Sequence, residues 1–159
     1  MKIDILCVGK LKEKYLKEGV LEYSKRLSRF CQLNIIESSD EKTDDIKTET
    51  ERKAVLAKEG ERIRKHLSPD AYVIALVIEG ERLSSEELAE RIEKLTVYGK
   101  AHIQFIIGGS LGIEEDIIKN ADMRLSFSPM TFPHQLMRMI LLEQIYRSFK
   151  IINGQTYHK

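Results

Sequence analysis

The sequence has 159 residues, of which 42% are hydrophobic and 32% are charged, with only 3 prolines and 9 glycines. This composition predicts one globular domain over residues 1–159 and excludes disordered and collagen-like chains. The net charge of +1 gives no bulk argument for a polyanionic partner.

Two kinds of hydrophobic periodicity alternate along the chain. Runs rich in β-branched residues predict strands, and segments with an apolar residue every three or four positions predict helices. In chain order, the predicted elements are a strand over 2–8, a helix over 16–30, a strand over 33–36, a helix over about 45–67, a strand over 71–78, a helix from 84, a strand over 102–107, a helix over 114–120, a strand over 123–128 and a helix from 133. Ser84 and Glu87 have the spacing of a capping box. The alternation predicts an α/β domain whose mostly parallel sheet carries helices on both faces.

The last helix has the clearest pattern. Pro133 suits its first turn, because a proline there loses no helical hydrogen bond. Its predicted buried stripe consists of Leu136, Ile140, Leu141, Ile145 and Phe149.

Several features predict a cytoplasmic protein without a membrane segment or a bound metal. The first nine residues lack the apolar core of a signal peptide, and no stretch has the roughly 20 apolar residues of a membrane helix. Cys7 and Cys31 lie in predicted strands without metal-ligand spacing, which favours reduced core thiols. The histidines are scattered, and we expect His66 and His102 to be structural or solvated rather than metal ligands.

Charges are distributed unevenly. Acidic residues cluster within residues 40–51, whereas from Pro133 onward Glu143 is the only acid against four basic residues. A phosphate-rich ligand would therefore be attracted by the positive charge near the carboxyl terminus. Two ordinary solvated faces would give the same distribution.

Ligands of open α/β sheets bind beyond the carboxyl ends of the strands, where two segments stand out. In residues 105–112 a buried strand opens into Gly108, Gly109 and Gly112, which let the backbone approach a ligand closely. The spacing matches neither a dinucleotide fingerprint nor a P-loop. A tight turn without a ligand is the alternative.

The second segment, residues 125–134, contains two prolines that fix the backbone. Phe127, Met130 and Phe132 are suited to form soft walls around an adenine ring or a thioether. A packed connection that fills the core is the alternative.

The tail, residues 154–159, is a third candidate. Tyr157 can stack on a base, His158 can move protons near neutral pH, and Lys159 can meet a phosphate. Chain ends often fray, so a disordered tail is the alternative.

Taken in order, residues 105–112, residues 125–138 with the MTFPHQL sequence, residues 143–147 and the terminal Tyr157 and His158 resemble the RlmH (YbeA) family of SPOUT methyltransferases. The similarity is collinear over the whole chain, and the MTFPHQL segment followed by EQIYR is its most specific part.

The resemblance implies a SPOUT-type α/β fold with a carboxyl-terminal trefoil knot, a homodimer, and methylation of N3 of a pseudouridine in 23S ribosomal RNA, on the large subunit or the assembled ribosome. It implies that S-adenosylmethionine is the cofactor. The cofactor positions of the family fall on Leu76, Gly108, Phe127, Ser128, Pro129, Met130, Thr131 and Phe132.

The resemblance also places the tail near the subunit interface, where we expect the catalytic residues. His158 is the first candidate for a base that favours the imide anion, and His134 is a reserve. Tyr157 would orient the base, and Lys159 and Arg138 would meet RNA phosphates or developing negative charge. Relatives often have proline and arginine where this chain has Thr156 and Lys159, so the tail's phosphate geometry is less defined.

Three other functions remain compatible with the residues. They are a SPOUT enzyme acting on a ribose 2′-oxygen or a tRNA base, a non-catalytic ribosome-associated protein, and a flavodoxin-like nucleotide binder.

Overall fold

The computed structural model describes residues 1–159 as one five-stranded sheet with five helices. In chain order the elements are β1 (Lys2–Val8), α1 (Lys14–Leu27), β2 (Gln32–Ser38), α2 (Glu49–Arg64), β3 (Tyr72–Arg82), α3 (Ser85–Val97), β4 (His102–Ile107), α4 (Glu115–Asn120), β5 (Met123–Ser126) and α5 (His134–Ile152). All ten predicted elements are present, and the differences lie in their ends.

The strand order is β2-β1-β4-β3-β5, and every neighbouring pair is parallel. The carboxyl ends of all five strands therefore meet at one edge of the sheet. The α/β class and the parallel sheet were predicted correctly.

Helices cover both faces of the sheet, as predicted. The larger hydrophobic cluster packs α1, α3 and α5 against one face, and a smaller cluster packs α2 and α4 against the other. Side chains of β1 alternate between them, with Ile3 and Ile5 in the larger cluster and Leu6 and Val8 in the smaller one. Burying each such side chain stabilises the fold by about 1.5 to 3 kcal/mol.

The third strand is longer than predicted and the fifth is shorter. Beyond Leu76 the register shifts, and β3 pairs with β5 again at Glu81 and Arg82. A Cβ atom on Gly80 would lie only 2.7 Å from the backbone carbon of Arg124. Glycine therefore permits the close approach that lets β3 continue past the irregularity.

The second helix is shorter than predicted and only weakly amphipathic. It begins at Glu49 behind Thr48, whose hydroxyl accepts a hydrogen bond from the Glu51 amide at 3.1 Å. Its buried residues are Glu59, Gly60 and Ile63. The helix was predicted correctly, but its amphipathic pattern is weak because its buried residues fall within one short stretch, 59–63.

The buried stripe of α5 also differs from the prediction. Pro133 precedes the helix as its N-cap, and Leu136 and Ile140 are only half-buried. The buried positions are Arg138, Leu141, Leu142, Ile145, Ser148 and Phe149. The buried face of α5 is therefore rotated from the predicted one so that it includes Arg138. Leu136 and Ile140 remain partly exposed.

Polar side chains at the amino ends of the strands form a buried network around Asp4, which is 3% exposed. Its carboxylate accepts hydrogen bonds from Asn34 and Gln104 and lies 2.6 Å from Nε2 of His102. Burial alone would raise the pKa of Asp4, but these contacts outweigh it and the pKa lies below its ordinary value. The contact agrees with the structural role predicted for His102.

Neither cysteine forms a disulfide. Burial raises the pKa of Cys7 to about 12 and that of Cys31 to about 11, so both thiols stay protonated at neutral pH. Cys7 lies in the core as predicted, whereas Cys31 is half-buried and directly precedes β2. No helix combines the length and the apolar character needed to cross a membrane.

Candidate functional site

A cavity of about 440 Å³ opens at the carboxyl edge of the sheet. Its walls come from the ends of β3, β4 and β5, from the glycine turn after β4 and from the loop before α5. Its volume lies within the range of small-molecule sites, about 300 to 1,000 Å³. Both sequence segments predicted from the strand ends therefore meet at one site.

The glycine turn, residues 108–112, is held by its own backbone. The amide of Gly112 donates to the Gly109 carbonyl at 3.0 Å, and Gly112 has a φ of 92°, which favours glycine. A Cβ atom on Gly108 would overlap the carbonyl group of Gly112. Any larger residue at 108 must therefore displace the turn that lines the cavity.

The loop over residues 127–133 forms the opposite wall. The Ser128 hydroxyl accepts a hydrogen bond from the Met130 amide at 2.9 Å, and the Ser126 hydroxyl donates to the Ser128 carbonyl at 3.3 Å. These bonds and the prolines fix the loop, while Met130 remains 75% exposed. The backbone of this wall is fixed, whereas the exposed Met130 side chain gives it a flexible, polarisable surface.

Seven of the eight predicted cofactor positions line this cavity. They are Leu76, Gly108, Phe127, Ser128, Met130, Thr131 and Phe132. Pro129 lies between two of them in the chain and is not part of the lining.

His134 also lines the cavity, at the first residue of α5. Burial lowers the pKa of His134, and the cations of Arg138 and Lys12 lower it further against the opposing effect of Asp40. The imidazole is therefore neutral at pH 7 and able to accept a proton.

Arg138 does not face the cavity or the solvent. Its side chain is 1% exposed, its Nη1 donates to Oε2 of Glu37 at 2.6 Å, and its Nη2 donates to the Gly9 carbonyl at 3.2 Å. The predicted contact with RNA phosphates is inconsistent with this burial. The guanidinium instead ties α5 to the ends of β1 and β2.

Burial acts to raise the pKa of Glu37, but hydrogen bonds from Arg138 and from the Leu11 amide outweigh it, so the pKa lies below its ordinary value of 4.5. The stabilisation by this pair is therefore complete above pH 4.5 and is lost as the pH falls through the lower folded-state pKa.

We expect Arg138→Met to lower the free energy of unfolding by about 2 to 3 kcal/mol at pH 7, less than for a fully buried pair because Glu37 is partly exposed. Denaturant unfolding checks this, with Arg91→Met as a control, since the Arg91–Glu81 pair is more exposed. The difference from the unmodified protein should shrink below pH 4.5. A constant difference down to pH 3 would contradict the assigned pair.

The tail docks on α5 of its own chain. The Tyr157 hydroxyl donates to Oε2 of Glu143 at 2.8 Å, and its ring meets the edge of Tyr146 at 5.0 Å between centroids. The guanidinium of Arg147 lies 4.7 Å from the centre of the Tyr157 ring. The tail is therefore packed rather than frayed.

His158 has both ring nitrogens engaged. Its Nδ1 lies 3.1 Å from Nη1 of Arg147, and its Nε2 lies 2.7 Å from Oε1 of Glu86. Arginine can only donate, so Nδ1 must accept and Nε2 must carry the proton that reaches Glu86. In this arrangement His158 has no free lone pair, and it can act as a base only after a partner is displaced.

Neither Tyr157, His158 nor Lys159 lines the cavity of the same chain. The structure thus brings the predicted cofactor residues together and leaves the predicted catalytic tail elsewhere.

Sequence reasoning missed Glu59, which is 3% exposed and lies behind the glycine turn. Its Oε2 accepts a hydrogen bond from the Glu41 amide at 3.0 Å, and its Oε1 has no hydrogen-bond partner. Burial raises the pKa of Glu59 despite that bond. A Cβ atom on Gly109 would lie 3.3 Å from its Oε1, so Glu59 supports the turn from below. No pattern in α2 singles this glutamate out from its exposed neighbours.

Comparison with known proteins agrees with the geometry. Residues 1–158 match the family described as "Predicted SPOUT methyltransferase". The chain is 58% identical to the ribosomal RNA large subunit methyltransferase H of Bifidobacterium adolescentis and 54% identical to that of Bacillus pumilus, in each case over 100% of both chains. A solved structure of a probable methylase family protein from Haemophilus influenzae has a TM-score of 0.55 at 15% identity, covering 99% of this chain and 70% of that one. This structural likeness supports the fold.

Proposed function

Because the chain belongs to the SPOUT methyltransferases, and within them to the ribosomal RNA large subunit methyltransferase H (RlmH) family, we propose that it transfers a methyl group from S-adenosylmethionine to N3 of a pseudouridine in 23S ribosomal RNA. We infer that its substrate is the large subunit or the assembled ribosome. The observation that carries this is the cavity formed by Leu76, the glycine turn and the loop 127–132.

The cavity suits this methyl donor. Phe127, Met130 and Phe132 offer apolar and polarisable surface to a flat ring and a thioether-like chain. Gly108 has no side chain, so its backbone can approach a bound ligand closely. When bound, S-adenosylmethionine supplies an electrophilic methyl carbon on a sulfonium.

The main task of the protein is to position the acceptor nitrogen. In-line displacement requires the nitrogen at about 3 to 3.5 Å from the methyl carbon, in a fixed orientation. The rigid glycine turn and the proline-braced loop meet this demand, because their backbones are held by local hydrogen bonds. The trefoil knot remains a prediction from the family likeness.

A second copy of the chain completes the site in this proposal. Tyr157, His158 and Lys159 lie away from their own cavity, so they serve the cavity of the other subunit. The surface available for dimerisation is apolar, since Leu136 and Ile140 of α5 are only half-buried and Met130 and Phe132 are exposed in the single chain.

Proton removal from N3 has two candidate acceptors. His158 requires release of its Nδ1 lone pair from Arg147, since its Nε2 already carries the proton that reaches Glu86. His134 already lines the cavity in its neutral form. Lys159 is exposed without an ion pair and can meet RNA phosphate or the developing negative charge.

Mass spectrometry of ribosomal RNA tests the function. Ribosomes from a strain lacking the gene are incubated with purified protein and S-adenosylmethionine, and we expect one new methyl group on a 23S pseudouridine. A methyl group on a ribose or on tRNA would replace the proposed target. Saturable donor binding without methylation of any RNA would indicate a ribosome-associated protein that has lost catalysis.

A further inference from the structure

A lysine-rich surface borders the cavity, and none of its side chains lines it. It comprises Lys10, Lys12, Lys14 and Lys17, from the loop after β1 and the first turn of α1, together with the intervening Tyr15. We infer that this lysine surface binds phosphates of ribosomal RNA and holds the substrate against the cavity mouth. The inference rests on the proposed function.

The first observation is its place beside the cavity. The Lys12 amide donates to Oε1 of Gln135 at 3.2 Å, which joins the loop to the first turn of α5. Gly9, just ahead of the lysines, lies against His134, whose Nε2 is 3.8 Å from the position of a Cβ atom on the glycine. Because His134 lines the cavity, the lysines lie at its margin.

The second observation is that these cations are not used within the chain. All four lysines are exposed, and their only ion pair is between Lys14 and Glu18, at 3.8 Å between exposed side chains. Of the nearby acids, Glu13 and Asp40 have no ion pair, whereas two others are neutralised by arginines. Glu37 pairs with Arg138, and Glu41 pairs with Arg62.

The third observation is that the lysines oppose the stability of α1. Cations near a helix amino terminus are repelled by the helix dipole, and the only acid at this end of α1 is its N-cap residue Glu13, whose side chain makes no capping hydrogen bond. The first turns of α2, α3 and α4 each contain two acids. The unfavourable placement is explained if the lysines serve a ligand.

Tyr15 fits the same partner. Its side chain is 63% exposed and it stands between Lys14 and Lys17 in the chain. An exposed aromatic ring among cations is suited to RNA, because the ring stacks on an unpaired base while the lysines meet the backbone. The acidic segment 40–51 contacts the glycine turn, where Thr43 Oγ1 is 3.3 Å from Ser110 Oγ, and its Asp40 lies beside Gly9, with Cγ 3.8 Å from the Cβ position of the glycine.

The test compares two triple variants that lose the same charge. K12Q/K14Q/K17Q removes three of the four lysines of the surface, and K25Q/K65Q/K100Q removes three exposed lysines that have no ion pair and lie outside this surface. Sedimentation with purified large ribosomal subunits measures binding without requiring methyl transfer. We expect the first variant to bind at least about tenfold more weakly at 100 mM salt and the second to bind within about twofold of the unmodified protein.

Salt dependence separates phosphate contacts from a structural effect. Losing three phosphate contacts should reduce the slope of log affinity against log salt by about 2 to 3, and K12R/K14R/K17R should restore it. Equal binding by the two glutamine variants, or weaker binding with an unchanged slope, would overturn the inference. Failure of the unmodified protein to methylate ribosomes would count against the proposed function instead, because the binding comparison remains valid.

Discussion

Gly108→Val is expected to abolish saturable binding of S-adenosylmethionine, raising the dissociation constant by at least about 100-fold. The Cβ atom would overlap the Gly112 carbonyl, so the whole turn must move away from β4. The cavity wall would then be displaced even though the substitution lies outside the hydrophobic core.

Titration calorimetry measures the loss, and circular dichroism shows whether the variant is folded. Gly99→Asn is the matched control, because Gly99 is the glycine at the other end of β4, has a φ of 81° and has no atom near its Cβ position. Asparagine tolerates that conformation. If a folded Gly108→Val variant bound the donor normally, the cavity would not be the donor site.

The position of this cavity was predictable because two physical rules act together. β-branched runs identified the strands, and parallel strands present their carboxyl ends at one edge. The glycines after β4 and the prolines after β5 therefore had to lie at the same edge of the sheet, although the sequence separates Gly108 from Pro129 by about twenty positions. Leu76 was predicted as a cofactor position from the resemblance to the family, and it lies at the same edge.

The role of Arg138 could not be predicted, because it depends on a partner that is distant in sequence. Hydrophobic periodicity assigns an arginine to the solvent face, and nothing in the sequence near residue 37 indicates that Glu37 pairs with Arg138. Only the strand order brings Glu37 at the end of β2 to the start of α5. With Arg138 buried in this pair, the buried face of α5 includes the arginine, and Leu136 is only half-buried.

The tail shows a different limit. Its residue types indicated base stacking and proton transfer, which stay predictions, whereas their contacts with α5 and Glu86 depend on tertiary packing. Residue type indicated that His158 can act as a base, whereas the structure shows that both nitrogens are engaged. A pattern can indicate chemistry at a chain end without showing which cavity it serves.

His158→Ala is expected to reduce methylation of ribosomes by about 100-fold or more, the range of a lost general base, while donor affinity stays nearly unchanged. Donor affinity should persist because the tail does not line the cavity of its own chain. Gln155→Ala serves as the control, since Gln155 is exposed and its only hydrogen bond is from its backbone amide to the Lys150 carbonyl. Equal losses of donor binding and methylation would show that the tail supports the fold instead.

Coexpression of Gly108→Val and His158→Ala chains then tests whether the site is shared between subunits. In a mixed dimer, the intact cavity of the His158→Ala chain would meet the intact tail of the Gly108→Val chain. Random pairing gives half mixed dimers, each with one complete site, so activity should recover to about a quarter of the unmodified level. If each tail served its own cavity, no mixture of the two inactive chains would recover activity, since neither chain holds both parts.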